Sequence, residues 1–228
     1  MISFPGLIAA GYETKVANVT NTVAILPGYL GGSLAYRKEL SIQRGNILTI
    51  LPPTIVGAIL GAALLLSTPQ DAFDVIVPFL IAGACLLLGF QDRLSKMFGT
   101  SEHTPEQGRR KILLAVGVFI AATYGSYFGA GLGIIVLAVL GLFMPDDIQR
   151  SNALKGIVSF IVNLLGASYF VLFADVAFEA AAIMSVAALL GGYSGVKLAR
   201  RLSRSFLKRF VIIYGSIAAV VFFVRLFV

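Results

Sequence analysis

The chain has 228 residues, of which 58% are hydrophobic and only 13% charged, and its formal charge is +7. Soluble domains carry roughly 25% charged residues, so the composition excludes an ordinary soluble domain and predicts an all-α, polytopic membrane protein. The basic residues lie in short loops beside apolar segments, which is typical of membrane topology and argues against nucleic-acid binding.

The first half of the chain contains three predicted membrane spans. Residues 1–11 are apolar, but they fall short of the about 20 residues that cross the hydrocarbon core. The spans follow at 18–36, at 46–66 and in a segment ending near Phe90. A basic loop at 37–44 separates the first two spans. We assign this half, residues 1–90, to a first repeat.

The second half begins after the longest polar stretch, residues 91–110, which we predict to be a cytoplasmic loop linking two repeats of one domain. Residues 111–228 form the second repeat. It opens with an apolar segment at 112–143 and continues with predicted spans at 151–174, 180–199 and 210–228.

Four glycines interrupt the 112–143 segment within nine residues: Gly125, Gly129, Gly131 and Gly133. This pattern favours a broken helix at the start of the second repeat. Irregular backbone at membrane depth survives where it lines a polar cavity, and in transporters such breaks mark the binding site. The alternative is that these glycines only let helices pack closely.

The two halves share a spacing of 134 positions, as from Asn18 to Asn152 (152 minus 18). Three glycine pairs keep the same spacing: Gly32 and Gly166, Gly57 and Gly191, and Gly61 and Gly195. The pattern predicts an internal repeat, and we interpret the last two pairs as helix-packing positions. On this spacing Met1 aligns with Ile135, so we expect the native reading frame to extend roughly 20 to 35 residues upstream.

Charge predicts how the repeats are oriented. If residues 111–143 enter the membrane and return, the basic loops at 37–44, 91–111 and 197–209 share one face. That face is then cytoplasmic by the positive-inside rule, and the two repeats are inverted. The sequence leaves open whether 111–143 forms a re-entrant segment or two full crossings.

Polar side chains within the predicted spans are candidates for a site, because their burial in a membrane is costly. Lys155 and Ser159 share a helix face with Asn152, and Asn163 continues it. One interpretation is interhelical hydrogen bonding of about 0.6 kcal/mol per pair, with Lys155 reaching the surface. The other is an anion site built from amide, hydroxyl, ammonium and backbone N–H donors. The candidate substrate-binding residues are Asn18, Thr20, Asn21, Thr22, Gly129, Gly131, Gly133, Asn152, Lys155, Ser159 and Asn163.

No pattern in the sequence indicates catalysis, a metal site or a cofactor. The single cysteine, Cys85, lies in an apolar run and is interpreted as a packing residue. The single histidine, His103, has no Cys, His or carboxylate cluster around it. The chain is therefore not expected to be an enzyme.

Several motifs resemble those of the sulfite exporter TauE/SafE family. They are Asn152-Ala-Leu-Lys155 with Asn163 downstream, Gly191-Gly-Tyr-Ser-Gly195 before Lys197-Leu-Ala-Arg-Arg201, and Ala17-Asn-Val-Thr-Asn21-Thr with Pro27-Gly28 and Tyr36-Arg37. The resemblance implies a multi-pass permease of the bacterial inner membrane. Its implied substrates are small sulfur-containing anions such as sulfite or organosulfonates, moved without ATP.

Two other functions remain open at this stage. One is a permease for another small solute, and the other is a non-transporting membrane scaffold or accessory subunit. The expected partners are a small anionic substrate and the lipid bilayer, without nucleic acid, and the sequence is compatible with a homo-oligomer.

Overall fold

The computed structural model describes residues 3–35, 37–98, 107–144, 148–199 and 204–225, and in these ranges its regular structure is entirely helical. This confirms the all-α class. The helices are α1 (Ser3–Ala9), α2 (Thr14–Ala35), α3 (Arg37–Ile42), α4 (Arg44–Ser67), α5 (Gln70–Phe98), α6 (Gln107–Tyr127), α7 (Leu132–Phe143), α8 (Ile148–Phe173), α9 (Phe178–Ala199) and α10 (Arg204–Arg225).

Three helices of the described chain are long and apolar enough to cross a membrane, namely Arg44–Ser67, Gln70–Phe90 and Arg150–Phe173. Shorter apolar helices are Leu132–Phe143, Phe178–Leu189 and Ile212–Val224. Large apolar side chains are widely exposed, for example Leu172 (72%) and Ile183 (73%). Apolar surface of this extent indicates contact with lipid, so the prediction of a membrane protein is confirmed.

One pair of helix starts repeats the spacing of the sequence motifs. Helix α4 begins at residue 44 and α9 at residue 178, which lie 134 positions apart (178 minus 44).

The predicted loop at 91–110 is wrong at both of its ends. Helix α5 continues to Phe98 and α6 already begins at Gln107, while residues 99–106 lie outside the described part of the chain. The basic loop at 37–44 likewise contains the short helix α3. Arg, Lys, Gln, Leu and Met all favour helix, so the high charge of these segments was a poor reason to predict loops.

Helices α6 and α7 form an antiparallel hairpin. A Cβ atom at Gly125 would lie 2.7 Å from Leu132 Cδ1, and one at Gly117 would lie 2.8 Å from Val139 Cγ1. At the open end of the hairpin, Arg110 Nε donates to the Phe143 carbonyl at 2.5 Å. The 12 residues of α7 rise only about 18 Å, which is less than the about 30 Å of the hydrocarbon core. Helix α7 is therefore too short to cross the hydrocarbon core by itself, and the α6–α7 hairpin reverses the direction of the chain.

Close packing explains two of the predicted small-residue positions. A Cβ atom at Gly57 would lie 2.5 Å from the Phe119 carbonyl oxygen, and one at Gly61 would collide with the Thr123 carbonyl. Glycine lets α4 and α6 approach at these points, which confirms their predicted packing role. The corresponding surroundings of Gly191 and Gly195 lie outside the described residues. Cys85 is buried against Gly215 of α10, as predicted for a packing residue.

Two apolar clusters meet at the turn between α6 and α7. One combines residues of α1, α2, α4, α5, α8 and α10 and includes Phe128. The other combines residues of α4, α6, α7 and α8 and includes Leu132. The glycine-rich turn thus lies between the two packed halves of the bundle.

Candidate functional site

The helix break falls where the glycine spacing predicted it, between Tyr127 and Leu132. Gly129 and Gly131 adopt φ angles of 80° and 81°, a left-handed conformation that favours glycine. The carbonyl of Tyr124 accepts hydrogen bonds from the N–H groups of Phe128 (2.9 Å) and Gly129 (3.3 Å).

Tyr124 also forms a side-chain hydrogen bond across the break. Its hydroxyl donates to the Ala130 carbonyl at 2.6 Å. The tyrosine therefore binds the turn through both its backbone and its side chain. This fixes the direction in which the following N–H groups point.

Three backbone N–H groups at the start of α7 donate no hydrogen bond to a described residue. They belong to Ala130, Gly131 and Gly133. Helix α7 itself starts with bonds from the N–H groups of Leu132 to Gly129 and of Ile134 to Gly131. Unpaired N–H groups and the positive end of the helix dipole together favour an anion at this position.

The residues that carry these three N–H groups line a cavity of about 260 Å³. Residues of α2 line the same cavity. The lining residues are Phe4, Asn18, Asn21, Thr22, Ile25, Tyr29, Ile81, Gly125, Phe128, Gly129, Ala130, Gly131, Leu132, Gly133, Asn163 and Gly215.

Local hydrogen bonds orient the polar groups of α2 at the cavity. Asn18 Nδ2 donates to the Tyr127 carbonyl at 2.9 Å, and the Thr22 hydroxyl donates to the Asn18 carbonyl at 3.0 Å. Asn21 Oδ1 accepts from the Ser3 hydroxyl at 2.5 Å. Asn21 lines the cavity, and its amide N–H groups donate to no described residue.

The cavity brings together seven of the eleven residues predicted from the sequence: Asn18, Asn21, Thr22, Gly129, Gly131, Gly133 and Asn163. Asn163 is fixed by donating from Nδ2 to the Ser159 carbonyl at 2.8 Å. Ser159 is thus placed behind the cavity wall, with its own side chain 5% exposed.

The structure does not bring Thr20, Asn152 and Lys155 into the cavity. Thr20 is fully buried, and its hydroxyl accepts the N–H of Ala177 at 3.1 Å. Lys155 Nζ donates to Asn152 Oδ1 at 3.0 Å. The aliphatic stem of Lys155 packs against Gly133, next to the break. A Cβ atom at Gly133 would lie 3.4 Å from Lys155 Cδ.

Two features of the site were missed in the sequence. Tyr29 lines the cavity close to Asn163, and these two residues are themselves 134 positions apart (163 minus 29). The repeat spacing could therefore have identified Tyr29. Phe4 also lines the cavity and packs edge-on against Phe128 at 5.6 Å between ring centroids, and no sequence signal distinguishes it from a packing residue.

The chain is similar to known proteins over most of its length. A family model described as "Sulfite exporter TauE/SafE" matches residues 1–222. A probable membrane transporter protein of Haemophilus influenzae is 23% identical over 216 residues, which is 93% of this chain and 82% of the relative. The probable membrane transporter protein YfcA of Escherichia coli K12 is 21% identical over 223 residues, which is 95% of this chain and 79% of the relative. No solved structure matched the chain.

Proposed function

Because the chain belongs to the sulfite exporter TauE/SafE family, we propose that this membrane transporter moves a small sulfur-containing anion through the cavity at the α6–α7 break. The substrate is of the sulfite or organosulfonate type, and ATP is not used. The transporter works as a multi-pass protein of the bacterial inner membrane.

The single observation that carries the proposal is the set of unpaired N–H groups of Ala130, Gly131 and Gly133, three residues that line the cavity. A sulfite or sulfonate group has three oxygens that accept such hydrogen bonds. The Asn21 amide adds a donor from α2. Hydrogen bonds to charged groups contribute about 1.5 to 3 kcal/mol each, so a few of them offset the cost of removing a small anion from water.

The apolar part of the lining favours an anion that carries a hydrocarbon group as well. Phe4, Ile25 and Ile81 line the cavity together with the donors. A volume of about 260 Å³ has room for an organic substituent on the acidic group. We therefore place organosulfonates ahead of inorganic sulfate as substrates.

Inverted orientation of the two repeats is part of the proposal. The α6–α7 hairpin supports it, because Arg110 and Phe143 meet at one side of the hairpin. The three basic loops then share the cytoplasmic face.

Cysteines introduced at Ser101 and Ser203, in a Cys85→Ala background, test this orientation. Both should resist an impermeant thiol reagent added to the outside of intact cells. Modification of one and not the other would contradict the inverted arrangement.

Flux measurements in proteoliposomes test the function itself. Labelled methanesulfonate and sulfite should enter with saturable kinetics, and unlabelled sulfate should compete weakly. Liposomes without protein provide the background rate. Absence of saturable flux for both labelled anions, with correctly folded protein in the membrane, would support the rival function of a scaffold.

A further inference from the structure

Equivalent asparagines of the two repeats differ in what their side-chain oxygens bind. In α8, Asn152 Oδ1 accepts the Lys155 ammonium at 3.0 Å, so this oxygen has a cation as its partner. In α2 the equivalent of Asn152 is Asn18, and the equivalent of Lys155 is Asn21, at the same repeat spacing (152 minus 18, 155 minus 21). The first repeat therefore has the same oxygen without the cation.

The orientation of the Asn18 amide is fixed by its neighbour. Its Nδ2 donates to the Tyr127 carbonyl at 2.9 Å, and a carbonyl oxygen can only accept. Asn18 Oδ1 must then point the other way, and it accepts no hydrogen bond from any described residue. The residue is 2% exposed and lines the cavity, so an acceptor without a hydrogen bond lies at the cavity with little access to bulk water.

The end of α6 adds further acceptors beside Asn18. The N–H groups of Phe128 and Gly129 both turn to the Tyr124 carbonyl, and the N–H of Leu132 turns to Gly129. The carbonyls of Gly125 and Phe128 consequently receive no hydrogen bond within the described chain. Both residues line the cavity, and the C-terminal end of a helix carries partial negative charge.

We propose that Asn18 Oδ1 and the carbonyls at the end of α6 bind a monovalent metal cation, Na⁺, which is transported together with the anion. This inference rests on the proposed function, because it names the coupling ion of the same cavity. Neutral oxygens at unwound helix ends are the ligands that bind Na⁺ in transporters built from repeats. The described residues also contain no group of three His, Cys, Asp or Glu side chains suited to other metals.

The cavity offers sites for ions of opposite charge. Donors at the start of α7 attract an anion, and acceptors at the end of α6 attract a cation. Only the short segment between the two helices separates these groups. An ion pair crosses a low-dielectric environment at lower cost than either ion alone, because the two charges attract strongly there. In the second repeat, Lys155 gives the Asn152 oxygen a cationic partner through a covalently attached charge.

Two measurements on the full-length protein test this proposal. In detergent, the melting temperature should rise with NaCl relative to choline chloride at equal ionic strength. In proteoliposomes at fixed pH and membrane potential, methanesulfonate influx should increase with external Na⁺ and saturate. Replacing Na⁺ by choline should reduce the influx by roughly tenfold or more, as expected for the loss of one charge-assisted interaction.

Paired variants locate the cation. Asn18→Leu should raise the half-saturating Na⁺ concentration at least about tenfold, whereas Asn152→Leu should leave it unchanged, because Asn152 lies outside the cavity. If Asn18→Leu fails to fold, the response of the wild-type protein to Na⁺ still decides the question.

The outcomes separate the two proposals. Anion flux that is the same in Na⁺ and choline, together with no thermal response to Na⁺, overturns the cation site and leaves the anion permease standing. Flux that depends only on the pH gradient likewise overturns the cation site and leaves the anion permease standing. Absence of all anion flux overturns the proposed function, and the thermal response then decides the cation site independently.

Discussion

Helices α2 and α8 contain equivalent residues of the two repeats, yet they use their polar residues differently. On α2, Asn18, Asn21 and Thr22 line the cavity. On α8, Lys155 and Asn152 bind one another and do not line it. The difference lies in the hydrogen-bond partners, because Asn18 donates to the Tyr127 carbonyl at the break, whereas Asn152 accepts from Lys155 of its own helix.

This comparison shows that polar residues in a membrane helix do not by themselves make a site. Lys155 and Asn152 form their hydrogen bond within α8, although the stem of Lys155 packs against Gly133 next to the break. Where a break leaves donors and acceptors unpaired, the same kinds of residue line a cavity. The break at 128–131 is therefore the feature on which the proposed function depends.

The largest expected effect on anion affinity comes from a substitution that disturbs the backbone conformation of the break. Gly131→Ala puts a Cβ atom on a residue with a φ of 81°, which costs about 1 to 2 kcal/mol and shifts the N–H groups around it. Loss of two charge-assisted hydrogen bonds of about 1.5 kcal/mol each lowers anion affinity about a hundredfold. The KM for methanesulfonate in proteoliposomes measures this effect.

Gly83→Ala is the matched control for that change. A Cβ atom at Gly83 would have no neighbour within 4 Å, and the residue lies inside α5, where alanine is favoured over glycine by about 1 kcal/mol. Transport and folding should both be retained. A normal KM in Gly131→Ala would show that the break does not bind the anion.

A smaller effect is expected from the two equivalent donors. Asn21→Ala removes an amide donor from the cavity and should raise KM about tenfold or more. Lys155→Met keeps the aliphatic stem behind Gly133 but removes the ammonium, which does not line the cavity, and should change KM by less than Asn21→Ala. Both variants are compared at equal membrane abundance. The reverse order of effects would move the anion site to Lys155.

The smallest effect on KM is expected from changing a residue that supports the break. Tyr124→Phe removes the 2.6 Å hydrogen bond to the Ala130 carbonyl and keeps the aromatic ring. Without this hydrogen bond the binding free energy of the anion weakens by about 1 kcal/mol, which corresponds to about a fivefold rise in KM. Tyr169→Phe is the control, because Tyr169 packs against Phe173, away from the break. Equal KM values in the two variants would remove Tyr124 from this role.

The sequence predicted those parts of the fold that depend on local or periodic signals. Glycine spacing located the break at Gly129 and Gly131, because only glycine adopts their φ angles readily. The repeat spacing anticipated the equivalent starts of α4 and α9. Charge alone misjudged the segment around Phe98, where helix continues beyond the apolar residues.

The composition of the cavity depends on contacts that no local pattern encodes. Lys155 was expected at the site, but a hydrogen bond to Asn152 within its own helix turns the ammonium away. Phe4 and Tyr29 reach the cavity through tertiary packing, so their sequence surroundings resemble those of ordinary apolar helix positions. Which polar residues of α2 and α8 line the cavity could not be predicted from two stripes of similar polarity.

Protection of single cysteines by substrate tests the central claim most directly. Thr22 lines the cavity, and its equivalent in the second repeat is Gly156, where a Cβ atom would have no neighbour within 4 Å. Thr22→Cys and Gly156→Cys, each in a Cys85→Ala background, are treated with a small thiol reagent with and without methanesulfonate. The account predicts that methanesulfonate slows modification at position 22 and leaves position 156 unaffected. Protection at 156 without protection at 22 would contradict it.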